Sequence, residues 1–305
     1  MGGNALARED EDGTFDEQYR RAIAMAESLR WMIVDGWRLV IVHGNGPQVG
    51  NALLRVESAA GKAPILPLGI CVADTEGGMG YMIEQCLQNE LHFAGHDREV
   101  VTIVTQMLVD KSDPAFENPT KYIGQFYSEE ESKKLARVRK WQMKKDGERG
   151  WRRVVASPAP LGAVCAGIIK RLVEEDVIVI AAGGGGVPVY HDDHRLLEGI
   201  DAVIDKDLAA AVVAKEIGAD TLLILTDVQK VALNFGKENQ QDLDHISAKQ
   251  AQEYFDQGHF PKGSMGPKIR AAISFLNSGG KCVIIASVEQ ASEALAGNAG
   301  TRIIP

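Results

Sequence analysis

Residues 38–50 read RLVIVHGNGPQVG, and this stretch decides the fold. Leu39, Val40, Ile41 and Val42 form the short apolar, mostly β-branched run of a buried strand. Two glycines then flank Asn45, and Pro47 stands where a helix running to about residue 60 should begin. A strand passing through such a turn into a helix leaves backbone N–H groups free at the helix start. Glycines without Cβ let an anion approach them. A single turn of this kind also serves as a plain connector, so its weight depends on what else converges on it.

The surrounding sequence repeats the pattern. Over residues 16–35, Tyr19, Ile23, Ala26 and Ile33 recur at helical spacing, and Gly36 ends that helix before the strand. Further strands are predicted at 100–105, 177–182, 221–226 and 281–286, each separated by at least one helical stretch. Alternation of this kind predicts an α/β fold, a mostly parallel sheet with helices on both faces and ligands at the carboxyl ends of the strands. Residues 129–153 differ, holding ten of the chain's 33 Lys and Arg beside five acids. They suit a solvated helix or small lobe, and more pointedly a lid over an anion. No repeat or low-complexity linker divides the 305 residues, so one domain is expected.

Composition excludes several function classes. A net charge of −9 argues against general nucleic-acid binding. Cys71, Cys86, Cys165 and Cys282 are far apart and form no C-x-x-C pair, which points to free thiols in a reducing cytoplasm. No apolar run is long enough for a membrane span.

The chemistry concentrates in a few segments. Gly2-Gly3 and the run Gly183, Gly184, Gly185 and Gly186 offer surfaces like that of Gly44, Asn45 and Gly46, and three converging glycine turns suit a polyphosphate. In Asp205-Lys206-Asp207, before a helix over 208–217, one acid can cap the helix. Asp207 can steady Lys206, a point charge for phosphate. Ser264 is a candidate cap for a helix carrying Lys268 in its first turns, where a cation opposes the helix dipole unless an anion is near. Lys121 stands just before the basic segment.

Other motifs fail by spacing. Gly258 and Gly263-Ser264 lack the lysine of a phosphate-binding P-loop. The glycine run enters Val187-Pro188 and not a helix, unlike a dinucleotide fingerprint. His191-Asp192-Asp193-His194 reads as an exposed loop.

Taken together, GGNAL (2–6), VHGNGPQVGN (42–51), DPAFENPTK (113–121), RRVVASPAP (152–160), GGGGVPV (183–189), AVIDKDLAAA (202–211), LTDVQKVALNFGK (225–237) and GHFPKGSMGPKI (258–269) make the chain resemble the carbamate kinases of the amino acid kinase superfamily. The resemblance implies a three-layer αβα sandwich, a projecting subdomain over about 121–156, a homodimer, and magnesium-dependent phosphoryl exchange between ATP and carbamate. Such enzymes typically form ATP during breakdown of arginine or related nitrogen compounds. It implies that Gly2, Gly3, Gly44, Asn45 and Gly46 hold carbamate and the transferred phosphoryl, that Lys121, Lys206 and Lys268 are the charge-stabilising cations, and that Asp207 orients the lysines. Nucleotide would lie along Gly183, Gly184, Gly185, Gly186 and Val187, and along Thr226, Asp227 and the residues to Lys230.

Three departures follow from the same comparison. The family carries an apolar strand before GGNAL, and the sequence opens after it, so that strand is expected to be missing. Tyr122 stands where a proline is usual after Lys121, and Glu76 where a glutamine is usual, adding a charge near the crevice. These changes are expected to alter substrate handling and leave the reaction class intact. Two other readings share these residues: a kinase of another small carboxylate or carbamate, and a nucleotide-binding relative without turnover.

Overall fold

The computed structural model describes residues 13–261 and 263–305. Its first helix, α1 (Phe15–Val34), starts where Thr14 and Glu17 cap one another reciprocally. It turns Ala22, Met25, Ala26, Leu29, Met32 and Ile33 inward. Gly36 ends the helix at φ 80°, and β1 (Val40–Ile41) follows. β1 is shorter than the run of residues 38–43 predicts; among the described residues it pairs with β8 (Ile178–Ala181) alone, over these two positions. On its other side β8 pairs in parallel with β2 (Val100–Ile103).

Helices cover both faces of this sheet. α2 (Gly46–Ser58) leaves the first glycine turn, and α3 (Leu68–Phe93) runs beneath the sheet. Met79, Ile83, Leu87 and Leu91 of α3 pack with α1 and with Ile178 and Ile180. On the opposite face Ile169 of α5 (Ala166–Glu174) packs on Val179 and Ala181. The alternation of side chains along β8 thus serves both layers.

A second sheet pairs β11 (Thr221–Thr226) in parallel with β15 (Cys282–Ser287) over all six residues. β16 (Thr301–Ile304) is antiparallel to β15 and parallel to β14 (His245–Ser247). α6 (Lys206–Ile217) and α8 (Met265–Asn277) pack with this sheet through Ala211, Ile269, Ala272 and Ile285. Among the described residues β1 and β11 each pair on one side, and a cavity of about 900 Å³ lies between their other edges. Leu29 and Met32 of α1 and Val213 and Ala214 of α6 help line it.

The basic segment forms a lobe. β4 (Lys121–Tyr127), β5 (Gln142–Lys145) and β6 (Trp151–Val155) make an antiparallel sheet with β6 in the centre, carrying α4 (Glu129–Arg139). After the second glycine turn the chain enters β9 (Val187–His191), as the sequence predicts, not a helix. The architecture is the expected α/β sandwich with a projecting subdomain, though more of its strands are antiparallel than alternation alone predicts.

Among the described residues no helix is long and apolar enough to cross a membrane. Cys71, Cys86, Cys165 and Cys282 are free, and all but the half-buried Cys165 are buried. His191 and its neighbours lie on a turn at the end of β9, exposed as expected.

Candidate active site

The two described glycine turns meet. The Gly184 N–H donates to the carbonyl of His43 at 2.7 Å. Gly184 has φ 68°, and a Cβ there would lie 2.2 Å from Asn45, so only glycine lets the turns close. Asn45 is itself buried and donates through Nδ2 to Thr75 Oγ1 at 3.0 Å. α2 begins at Gly46 without a side-chain cap, leaving its first N–H groups pointed at the space beside Gly44, as the sequence predicts.

Opposite these turns stands the start of α6. Asp205 is its cap, accepting the Asp207 N–H at 3.0 Å, so the helix begins two residues earlier than the apolar pattern suggests. The other Asp205 oxygen accepts from Lys121 Nζ at 3.0 Å. Asp207 bridges two cations, with Lys206 Nζ at 2.6 Å and Lys268 Nζ at 3.2 Å. Burial alone would raise the Asp207 carboxyl, but the two ammoniums outweigh it and hold it well below the ordinary range. Burial lowers the Lys206 ammonium, and Lys268 beside it works in the same direction. Asp205 is likewise held low, burial being outweighed by Lys121. Lys268, near the start of α8, thus has the Asp207 carboxylate beside it. Ser264 occupies the cap position of α8, but its side chain makes no capping bond, which corrects the expectation.

These groups share one cavity of about 490 Å³. Gly44, Asn45, Gly46, Gly184, Lys121, Lys206, Asp207, Thr226, Asp227 and Lys268 all line it. Gly183, Gly185 and Gly186 stand outside its lining and serve the turn; a Cβ on Gly185 would lie 2.4 Å from the Ile204 carbonyl oxygen. Gly2 and Gly3 lie outside the described residues. Arg152 and Phe235 also line the cavity and were not singled out from the sequence. Arg152 is held by the Gly124 carbonyl at 3.1 Å and by Asp146 at 3.2 Å.

Glu76 corrects a further expectation. It is 1% exposed, beneath the glycine turn and not on the crevice wall, and burial raises its carboxyl to about 8. The expected crevice charge is thus a buried acid that is mostly uncharged at neutral pH. Tyr122 makes a definite contact, donating to the Lys145 carbonyl at 2.9 Å and so tying β4 to β5.

Two anion-receptive turns facing lysines matched to one carboxylate are the arrangement of a phosphoryl-transfer site. The model of the amino acid kinase family matches residues 1–287. The chain belongs to the amino acid kinase family. Among relatives, a carbamate kinase of Pyrococcus horikoshii is 49% identical, with 100% of this chain and 98% of that protein aligned. A carbamate kinase of Trichomonas vaginalis is 44% identical over 100% of this chain and 98% of its own length. The structure of Giardia lamblia carbamate kinase bound to AMP-PNP superposes with a TM-score of 0.93 and 42% identity, covering 99% of this chain and 96% of that one. An amino acid kinase site uses the carboxyl ends of its strands, and here both glycine turns, Thr226 and Asp227 follow or end β1, β8 and β11.

Proposed function

We propose that the protein exchanges a phosphoryl group between ATP and carbamate, forming ADP and carbamoyl phosphate and the reverse. The observation that carries this reading is the Lys206–Asp207–Lys268 bridge, set against the Gly44–Gly46 and Gly184 turns in one cavity. Asp207 fixes the two ammoniums where charge spreads over the equatorial oxygens of the transferring group, and Lys121 approaches from the lobe. A carbamate oxygen is already anionic, so no general base is needed. Gly2, Gly3, Gly44, Asn45 and Gly46 would hold carbamate and the phosphoryl group. Nucleotide would lie along the Gly183–Gly185 turn, Gly186, Thr226 and Asp227.

Magnesium would enter with the nucleotide. No cluster of three His, Cys, Asp or Glu residues suits a metal among the described residues. The ion would be held mainly by phosphates and water, with Asp227 one of the carboxylates on the cavity wall. When bound it neutralises phosphate charge. Residues 121–156 would act as a lid, since Lys121 and Arg152 bring the lobe to the cavity.

We read the protein as a cytoplasmic homodimer that runs toward ATP in breakdown of arginine or related nitrogen compounds. Exposed Ile70 and Tyr81 of α3 and Val104 just after β2, on two elements that pack together, support a subunit contact. The deciding experiment is ATP formation from ADP and carbamoyl phosphate with magnesium, using the full chain beside a Lys206→Ala control. Turnover abolished in the control is expected; wild-type turnover no higher than the control would sink the reading. A panel of small carboxylates at fixed ATP then tests for another acceptor.

A further inference from the structure

The side chain of Asn45 is held on two sides. Its Nδ2 donates to Oγ1 of Thr75, a half-buried residue of α3, at 3.0 Å. Its amide also lies flat on the second glycine turn. A Cβ at Gly184 would stand 2.2 Å from Asn45 Cγ, 2.2 Å from Nδ2 and 2.3 Å from Oδ1, nearly equidistant from all three. Packing against Gly184 therefore fixes the plane of the amide. It does not choose between the two ends, because the oxygen and the NH₂ group are close in size and differ in hydrogen bonding.

Thr75 makes that choice. Its hydroxyl has one hydrogen, which is directed back along α3 to the Cys71 carbonyl at 2.8 Å and the Val72 carbonyl at 3.0 Å. Both carbonyls only accept, so Oγ1 meets Asn45 with lone pairs alone. Nδ2 is the end that can bond to it; Oδ1 in the same place would set two acceptors against each other. The helix does not depend on this contact for its position. Glu76, the next residue, anchors it through Oε1, which accepts the Gly183 N–H at 2.9 Å and the Thr105 N–H at 3.1 Å.

We propose that Thr75 is a positioning residue for phosphoryl transfer: it accepts one Nδ2 hydrogen of Asn45 and so keeps the other, on the cavity wall, for an oxygen of the transferred group. This rests on the kinase reading above, in which Asn45 touches the phosphoryl group, and adds a residue that stands outside the cavity lining. A donor fixed before the substrate arrives needs no reorganisation when negative charge builds on that oxygen. In the flipped amide Oδ1 takes the place of Nδ2, and a lone pair instead of a hydrogen faces the phosphate. The Thr75 hydroxyl thus disfavours the orientation that repels substrate, and it does so from behind Asn45 without touching the ligand.

The test compares wild type, Thr75→Val and Thr75→Ser in ATP formation from ADP and carbamoyl phosphate, with ¹H–¹⁵N spectra of asparagine-labelled protein. Valine keeps the branched shape of threonine and has no acceptor; serine keeps the hydroxyl within reach of the same two carbonyls. Thr75→Val should lower kcat about tenfold, the size of one hydrogen bond lost at the transferring group, with KM for ADP unchanged. Thr75→Ser should restore kcat to within about twofold of wild type. In the spectra the Asn45 side-chain amide pair, assigned by its absence from Asn45→Ala, should shift in Thr75→Val and keep its wild-type position in Thr75→Ser. Wild-type kcat in Thr75→Val, a serine that fails to rescue, or an Asn45 signal unmoved by Thr75→Val overturns the proposal. The spectra need no turnover, so absence of carbamate kinase activity would defeat the functional reading alone, and the Asn45 signal would still decide whether Thr75 sets the amide.

Discussion

Lys121 and Asp205, 84 positions apart, meet at 3.0 Å and join the first residue of β4 to the cap of α6. The carboxylate has two tasks: Oδ2 receives the lysine of the lobe, and Oδ1 receives the Asp207 N–H. Lys121 is about a third exposed, so the pair itself should contribute less than about 1 kcal/mol. The cap should contribute about 1 kcal/mol. Asp205→Asn keeps a capping oxygen and loses the charge; Asp205→Ala loses both. Urea melts should therefore place Ala about 1 kcal/mol below Asn, and both should raise KM for carbamoyl phosphate by freeing Lys121. Equal destabilisation would mean that the cap is not what Asp205 contributes.

Lys206→Ala and Lys268→Ala should each lower kcat by about 10²–10³, the range for removing one charge-stabilising donor. Asp207→Asn should leave two close ammoniums without their counter-ion and destabilise by about 3–5 kcal/mol. The pH dependence has a definite sign. An acid held below its unfolded value of 3.8 stabilises the fold above that pH and loses the contribution as pH falls toward its folded value. The gap between wild type and Asp207→Asn in urea melts should be widest near neutrality and shrink below about pH 4. A gap independent of pH would refute the bridge.

The parts of this site that the sequence carries are those written in consecutive residues. His43 to Pro47 encode a turn and a helix start, and Asp205 to Asp207 encode a cap and a cation. The rest depends on which strand lies beside which. Arg152 and Arg153 are adjacent in β6, so they face opposite ways. Arg152 lines the cavity while Arg153 lies over the Trp141 ring at 4.8 Å, and nothing local says which does which. Glu76 reads as a charge near the crevice because acids are seldom buried. Its burial follows from α3 lying beneath the Gly183 turn. The extent of β1 was likewise illegible, because a strand's length is set by its partners.

The edges bordering the 900 Å³ cavity carry their own expectation. β15 is hydrogen-bonded on both sides, by β11 and β16, whereas among the described residues β1 and β11 are paired on one side. Amides of β11 that point away from β15 should exchange with deuterium faster than those of β15. Residue-resolved exchange measured by NMR decides this. Equal protection in both strands would mean that the open edge of β11 is covered in solution.

Gly184 and Gly36 separate steric closure from backbone strain. Both are left-handed, at φ 68° and 80°, so an alanine at either meets the same backbone penalty of about 1–2 kcal/mol. A Cβ on Gly36 would meet nothing within 4 Å, whereas one on Gly184 would strike Asn45 at 2.2 Å. Gly36→Ala should therefore lower the melting temperature modestly and leave kcat and KM unchanged. Gly184→Ala should add to that loss and reduce kcat at least about 10²-fold, because Asn45 must move and the two turns part. If the two alanines were equally harmless to turnover, the contact between Gly184 and Asn45 would not be what shapes the phosphate site.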